Sequence, residues 1–217
     1  MSGSAAVSTR ELRAHAEQLG FLACGVASLE PSRRGDGLDR WLQAGYAGTM
    51  RYLHRQASRR KFPGDIVVGA KVAVVVLENY LPAREQVAGG RGQVKVAKYA
   101  RGTDYHRALK RRLDLLAAWL RERGAGIAEC WTDAGPVPER ELAERAGLGW
   151  IGKNTMLIRP ESGSFCFIGS VFTDLPLEPT PTTEYDRCGS CTRCLDACPT
   201  EAFAEARILD ATRCISY

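Results

Sequence analysis

The sequence predicts an α+β fold followed by a small cysteine-rich domain, and three observations carry that prediction. The run Val72 to Leu77 is almost wholly β-branched or aliphatic and lies between Lys71 and Glu78. It has the length and composition of a strand buried on both faces. Leu109, Leu113, Leu116 and Leu120 recur at helical spacing between Asp104 and Gly124, the mark of an amphipathic helix. Cys188, Cys191, Cys194 and Cys198 stand in the spacing C-x2-C-x2-C-x3-C, with Pro199 directly after. That is the thiolate run of bacterial iron–sulfur proteins. Its short gaps fold three sulfurs round one face of a cubane, and the fourth serves the other cluster in two-cluster ferredoxins.

The remaining elements follow in order. Ser8 or Thr9 caps a first helix through Leu12, Ala16 and Leu19, which Gly20 ends. Phe21 to Ala27 reads as a short strand. Gly35 to Gly48, around Trp41 and Leu42, reads as a helix or helix-loop broken by Gly45 and Gly48. Arg51 to Lys61 is dense in Arg and Lys, which is by default a solvated helix face, with a phosphate-contacting surface as the sharper reading. Arg84 to Gln93 reads as a loop. Thr103 or Asp104 caps the long helix, Gly124 stops it, and Lys110, Arg111 and Arg112 are expected on its wet side. Thr132 to Pro138 is rich in turn residues and precedes a helix over 139–146. Phe165 to Phe172 reads as a strand. Pro176, Pro179 and Pro181 mark a spacer, so the division falls between residues 1–178 and 179–217.

Composition is that of a globular chain, 45% hydrophobic and 25% charged, which excludes a disordered protein. The formal charge of +5 is compatible with an anionic partner such as RNA, and is also common among soluble enzymes. The first ten residues lack a basic segment followed by an apolar run, and no apolar stretch approaches the ~20 residues a membrane span needs. A reducing, cytoplasmic setting is therefore expected, in which clustered cysteines act as metal ligands rather than disulfides. Zinc is disfavoured, because its sites pair two C-x2-4-C units across a longer spacer or use His, and no His lies beyond His106. Cys24, Cys130 and Cys166 sit in or beside apolar stretches and read as small core residues.

Residues 147–154, Gly-Leu-Gly-Trp-Ile-Gly-Lys-Asn, match G-x-G-x-x-G and nearly match a P-loop. Both fingerprints need a strand before the glycines and a helix after them, whereas a helix-like segment precedes these and a strand-like one follows. Nucleotide binding is rejected. The glycines instead suggest a surface that a flat ligand approaches closely.

Several long stretches together resemble epoxyqueuosine reductase, a tRNA-modifying enzyme family. They are Tyr99-Ala-Arg101-Gly-Thr-Asp-Tyr105-His106, Asp133-Ala-Gly-Pro-Val-Pro-Glu139-Arg140, 146–155, Gly163-Ser164, Phe172-Thr-Asp-Leu175, and the cysteine run through Arg213-Cys-Ile-Ser-Tyr217. The resemblance implies a nitroreductase-like domain holding cob(II)alamin, then a partial ferredoxin-like domain for 4Fe-4S clusters. It implies reduction of epoxyqueuosine to queuosine at the tRNA wobble position, with an external electron donor, in a monomer away from membranes. Members of that family continue past the equivalent of Tyr217 with a second cysteine run, so the sequence is expected to be a shortened one whose cluster ligands are incomplete. By the resemblance, Cys188, Cys191 and Cys194 serve one cluster, while Cys198 and Cys214 begin the other.

The same resemblance makes Asp133 the proton donor to the opening epoxide. A free Asp, with a reference pKa near ~3.9, is ionised at neutral pH, so burial against the corrin would have to raise it. From residues alone, an Asp before a Pro-containing turn is more often a cap, here for the turn at Gly135-Pro136 or for the helix that follows. Tyr105 and His106 are candidates for orienting substrate or water, with a surface position at a helix start as the plain alternative for His106. Tyr99 and Arg101, Lys153, Asn154 and Thr155, and Ser164 are candidate corrin contacts, and Lys153 is otherwise a solvated loop lysine. The Arg51–Lys61 run is a candidate for corrin propionamides as well as phosphates. Two other functions compete. One is a reductive dehalogenase with similar cofactors, which usually carries a twin-arginine export signal not seen here. The other is a ferredoxin-type electron carrier, which would not need the ~180 residues before the cysteines.

Overall fold

A computed structural model describes residues 7–81, 96–182 and 186–217, so the loop expected over Arg84–Gln93 lies outside the described residues. Helix α1 (Thr9–Gln18) begins at a capping box, in which the Ser8 hydroxyl accepts the Glu11 N–H at 3.2 Å and the Glu11 carboxylate accepts the Ser8 N–H at 3.0 Å. Strand β1 (Ala23–Ser28) follows. Three short helices then cross to β2 (Val72–Asn79): α2 (Gly35–Gln43), α3 (Arg51–Arg55) and α4 (Ala57–Lys61). Helix α5 (Tyr105–Glu122), β3 (Ala128–Trp131) and α6 (Glu139–Arg145) come next, then the hairpin β4 (Trp150–Ile151) and β5 (Leu157–Ile158), and strand β6 (Cys166–Thr173). The cysteine-rich end holds α7 (Arg193–Asp196), β7 (Phe203–Glu205) and β8 (Ile208–Leu209).

The main sheet has the order β1-β2-β6-β3 with every neighbour antiparallel. Strand β2 is interior, and its two faces pack on different helices. Val72, Val74 and Val76 meet Leu12 and Ala16 of α1 and Leu109, Leu113, Leu116 and Leu120 of α5. Ala73, Val75 and Leu77 meet Leu142, Ala143 and Ala146 beside Leu148, Leu157 and Phe172. An unbroken apolar run is what such a doubly covered strand requires. Helix α5 starts at Asp104, whose carboxylate accepts the His106 N–H at 3.0 Å, and Gly124, at φ +95°, ends its last turn. Arg112 departs from the wet face expected of it. It pairs with Glu78 and lies over the Phe21 ring, 5.2 Å from its centroid, which ties α5 to the sheet.

The glycine-rich turn after α6 leads into the β4–β5 hairpin, so no strand–glycine–helix unit forms. Two of its glycines are required by close backbone packing. A Cβ at Gly149 would stand 2.3 Å from the Ile158 carbonyl oxygen, and one at Gly147 would stand 2.8 Å from that of Pro181. The Pro-rich segment is also no loose tether. Leu175 and Leu177 are buried, and Thr180 pairs with the outer edge of β1, accepting the Val26 N–H on its hydroxyl at 3.0 Å and donating its own N–H to the Val26 carbonyl at 2.9 Å.

A buried ion pair holds the β1–α2 connection on α6. Arg145 and Glu141 meet at 2.7 Å, each side chain 7% exposed. Glu141 also accepts the Ser32 hydroxyl and the Arg33 N–H, and Arg145 donates to the carbonyls of Glu30 and Pro31 at 2.6 Å each. All eight cysteines are free thiols. Burial pushes the core thiol Cys24 and the half-buried Cys130 up to about 12, and half-buried Cys166 is raised by the same cause. No helix among the described residues is long and apolar enough to cross a membrane.

Candidate active site

The loop from β3 to α6 carries Asp133, and it is fastened from three directions. Gly135 lies flat on Trp131, where an added Cβ would come within 2.6 Å of the indole ring. Arg60 of α4 reaches up to donate to the Gly135 carbonyl at 2.9 Å. Glu139, at the start of α6, accepts the Asp133 N–H at 2.6 Å. Held this way, Asp133 adopts φ +53°, a left-handed conformation that short polar residues tolerate and that often accompanies a functional constraint.

The start of α5 faces this loop. The Tyr105 hydroxyl donates to Asp133 Oδ2, and His106 Nε2 lies 3.4 Å from the same oxygen. His106 is oriented through its other ring nitrogen, 2.8 Å from Asp104 Oδ1. Thus the structure brings together Asp133, Tyr105 and His106, the first of them distant in sequence from the other two. Burial first, then the bond to Asp133, raises the Tyr105 pKa, so it is a neutral donor. Its ring stacks on Phe167 at 4.0 Å and 5°, and Tyr80 follows against Phe167 at 4.6 Å. Phe165 completes this half-buried aromatic wall, with Lys98 Nζ 5.1 Å above it. Asp133 itself remains open, its side chain 60% exposed, so the chain's own atoms do not supply the burial expected around it.

The candidate corrin contacts divide into groups. Tyr99 and Arg101 are exposed on the approach to α5, close in sequence to Lys98 at the aromatic wall. Arg101 is turned back onto the Val96 carbonyl at 2.7 Å. Lys153, Asn154 and Thr155 lie on the β4–β5 turn, and Ser164 precedes β6. Lys153 is occupied elsewhere: its ammonium donates to the carbonyls of Gly189 at 2.7 Å and Cys191 at 3.0 Å. Asn154 accepts the Met156 N–H at 3.1 Å in a local turn, and the Thr155 carbonyl accepts from Arg140 at 2.7 Å. A cavity of about 280 Å³ opens between Leu148–Trp150 and Arg159–Ser162; none of the candidate residues lines it.

Lys153 is one of several ties between the cysteine-rich end and the front of the molecule. The Trp41 indole donates to the Leu209 carbonyl at 2.6 Å, and the Ala211 N–H to that of Tyr46 at 3.0 Å. Arg207 donates its N–H to the Lys153 carbonyl at 2.9 Å and pairs with Asp186. Among the described residues, no group of three or more His, Cys, Asp or Glu side chains is arranged to hold a single metal ion. Cys198 nonetheless sits in a setting made for a thiolate. The Ala202 N–H donates to its sulfur at 3.3 Å, and the backbone N–H groups of Ala202, then Thr200, hold its pKa below the ordinary thiol value. Such N–H donors are a feature of cluster sulfurs, so the residues present fit an iron–sulfur ligand.

Residues 187–217 match the family described as a 4Fe-4S double cluster binding domain, and residues 60–134 match that described as epoxyqueuosine reductase QueG, DUF1730. The epoxyqueuosine reductase of Cyclobacterium marinum is 39% identical over 211 residues, covering 96% of this chain and 68% of the relative. The chain belongs to the epoxyqueuosine reductase family. The Pseudomonas aeruginosa reductase is 40% identical over 204 residues; 92% of this chain matches, and the chain spans 56% of that relative's length. A crystal structure of epoxyqueuosine reductase with an epoxyqueuosine-modified tRNA stem loop superposes with a TM-score of 0.82 at 31% identity, over 95% of this chain and 56% of that one. A B12-dependent reductive dehalogenase shares the fold more distantly, with a TM-score of 0.52 at 22% identity over 82% of this chain and 22% of that one.

Within this epoxyqueuosine reductase-family site, reading the sequence missed Glu139 as more than a helix start. Burial, with the Asp133 charge adding to it, raises its pKa from 4.5 to about 7, although the Asp133 N–H and nearby Arg140 and Arg60 work against the rise. The signal lay in the spacing Asp133–Glu139, but only the loop's return over Trp131 makes them neighbours. A carboxyl whose folded pKa is raised contributes stability fully present below about 4.5 and lost as pH rises through about 7. Denaturant midpoints should therefore fall between pH 5 and pH ~7.5 by more in the wild type than in Glu139→Gln, which has no proton there to lose.

Proposed function

We propose that this chain performs, in whole or as the front of a longer catalyst, the reduction of epoxyqueuosine in tRNA to queuosine. The observation that carries the reading is Asp133: an open carboxyl at positive φ, on a loop anchored by Glu139 and Arg60, and bonded by Tyr105 beside an aromatic wall. Membership of the family supports the same reading.

The reaction adds two electrons and two protons to the epoxide, breaks both C–O bonds, forms the alkene and releases water. A corrinoid, cob(II)alamin in its resting form, supplies two-electron reducing power at carbon when bound, and 4Fe-4S clusters deliver electrons one at a time. Asp133 holds the proton that the opening oxygen takes. Tyr105 and His106 fix the direction of its carboxyl, and the wall of Tyr105, Phe167, Tyr80 and Phe165 gives a flat apolar ligand a surface that sheds water. Bound there, that ligand would shield the Asp133 carboxyl from water on one side. Tyr99, Arg101 and Ser164 are proposed at its rim. Asn154 and Thr155 remain weaker candidates, and Lys153 is assigned to the cluster loop instead. Cys188, Cys191 and Cys194 are proposed as ligands of one cluster, Cys198 and Cys214 of the other. The division into a nitroreductase-like domain over 1–178 and a ferredoxin-like one over 179–217 belongs to the same proposal, as does a cytoplasmic monomer served by an external reductant.

Reconstitution with iron, sulfide and hydroxocobalamin tests this. The wild type should retain corrin and iron–sulfur absorption through gel filtration and convert epoxyqueuosine in tRNA. Cys191→Ala and Cys194→Ala should each lose the iron of one cluster, to the same extent, while keeping the corrin, since their thiols are assigned to the same cluster. A protein that retains no corrin ends the proposal. The shared fold keeps reductive dehalogenation as a second reading, and turnover of a chlorinated organic compound with none of the tRNA would favour it.

A further inference from the structure

We propose that the exposed face of α3 and α4 is a docking surface for the sugar–phosphate backbone of the substrate RNA, on the side of the site that Arg60 joins to the Asp133 loop. The proposal rests on the assignment of tRNA as substrate and locates where the strand beside the reacting base is held. Arg51, Arg55 and Arg59 recur every fourth residue and are all exposed. Within 51–61 there is no acidic residue, and among the described residues none of these three cations pairs with a carboxylate. The two cations beside them are used structurally. Lys61 binds both carboxylate oxygens of Asp39 at 3.1 and 2.8 Å, and Arg60 donates to the Gly135 and Val137 carbonyls. One set of charges therefore pins the helix pair to the protein and to the catalytic loop, while the other is left facing water.

Three cations along a helix path on the order of 10 Å suit a row of phosphates better than a single anionic group such as a cofactor's lone phosphate. Tyr52 and Phe62 flank the row, each 44% exposed. Aromatic rings among arginines are the usual platform for single-stranded bases next to their phosphates, the state of nucleotides in an anticodon loop. Arg60 makes the surface relevant to chemistry, because it ties the helix that would seat the strand to the loop that presents Asp133.

The test is binding of a fluorescent synthetic anticodon stem-loop RNA to the intact chain across a salt series. Replacing Arg51, Arg55 and Arg59 together by Gln should weaken binding about 10-fold or more at 0.1 M salt. It should also flatten the slope of log K against log salt by about 2, at ~0.7 for each phosphate no longer neutralised. A charge-matched control replaces the exposed Arg10, Lys110 and Arg111 by Gln on α1 and α5. It should leave affinity and slope in place. Equal effects in both triple variants, or none in the first, overturn the proposed surface while leaving tRNA as substrate. A folded wild type that binds no stem-loop overturns both. Thermal melting of each variant separates weakened docking from loss of fold.

Discussion

Asp133→Asn should abolish most epoxide reduction while leaving the fold intact. The rate under saturating reductant is expected to fall by ~10²–10⁴-fold, the usual worth of a positioned general acid. Asn is the informative replacement because it tolerates the φ of +53° and keeps an oxygen for the Tyr105 hydroxyl. What it lacks is a proton of suitable acidity. Corrin absorption and melting temperature should match the wild type, which separates a chemical role from a structural one. Tyr105→Phe should cost less, because it loosens the carboxyl's aim without removing the proton. An unchanged rate in Asp133→Asn would remove the acid from the scheme, and the turn-capping reading of that residue would then stand.

Glu141→Ala should produce the largest loss of stability among single substitutions remote from Asp133. It leaves the buried Arg145 guanidinium without its carboxylate and strips acceptors from Ser32 and the Arg33 N–H. Breaking one side of a buried pair costs about 3–5 kcal/mol, which for a chain of this size lowers the melting point by on the order of 10 °C. Circular dichroism melts measure it directly. A shift of only ~1 °C would mean that Arg145 finds full compensation from the backbone carbonyls of Ser28, Glu30 and Pro31 alone.

The two residue clusters behind these predictions differ in how far the sequence announces them. Asp133, Tyr105 and His106 are visible through long motifs, and their meeting in space fits that reading. Glu139 and Glu141 look alike in the sequence of α6. Yet Glu139 turns toward the Asp133 loop and Glu141 toward the β1–α2 connection, because α6 is wedged between them. Lys153 was indistinguishable from a solvated lysine until the cysteine-rich end folded over it and presented two carbonyl groups. The glycines at 147 and 149 also let the turn pack closely on the carbonyls of Pro181 and Ile158, a role that depends on partners brought by the fold.

By itself the sequence determined what is local or periodic: the doubly buried β2, the leucine stripe of α5, the start of α1 at Ser8 or Thr9, the helix-stopping Gly124, and the spacing of thiols that suits a cubane. These depend on residues a few positions apart, whose side chains and backbone angles decide the outcome before any distant contact forms. Only the tertiary structure decided which carboxyl sits at the Asp133 loop with a raised pKa, which arginines anchor and which face water, and how the Pro-rich segment pairs with β1. Each of those depends on burial and on partners brought from far along the chain, and neither quantity exists until the sheet has closed on its helices.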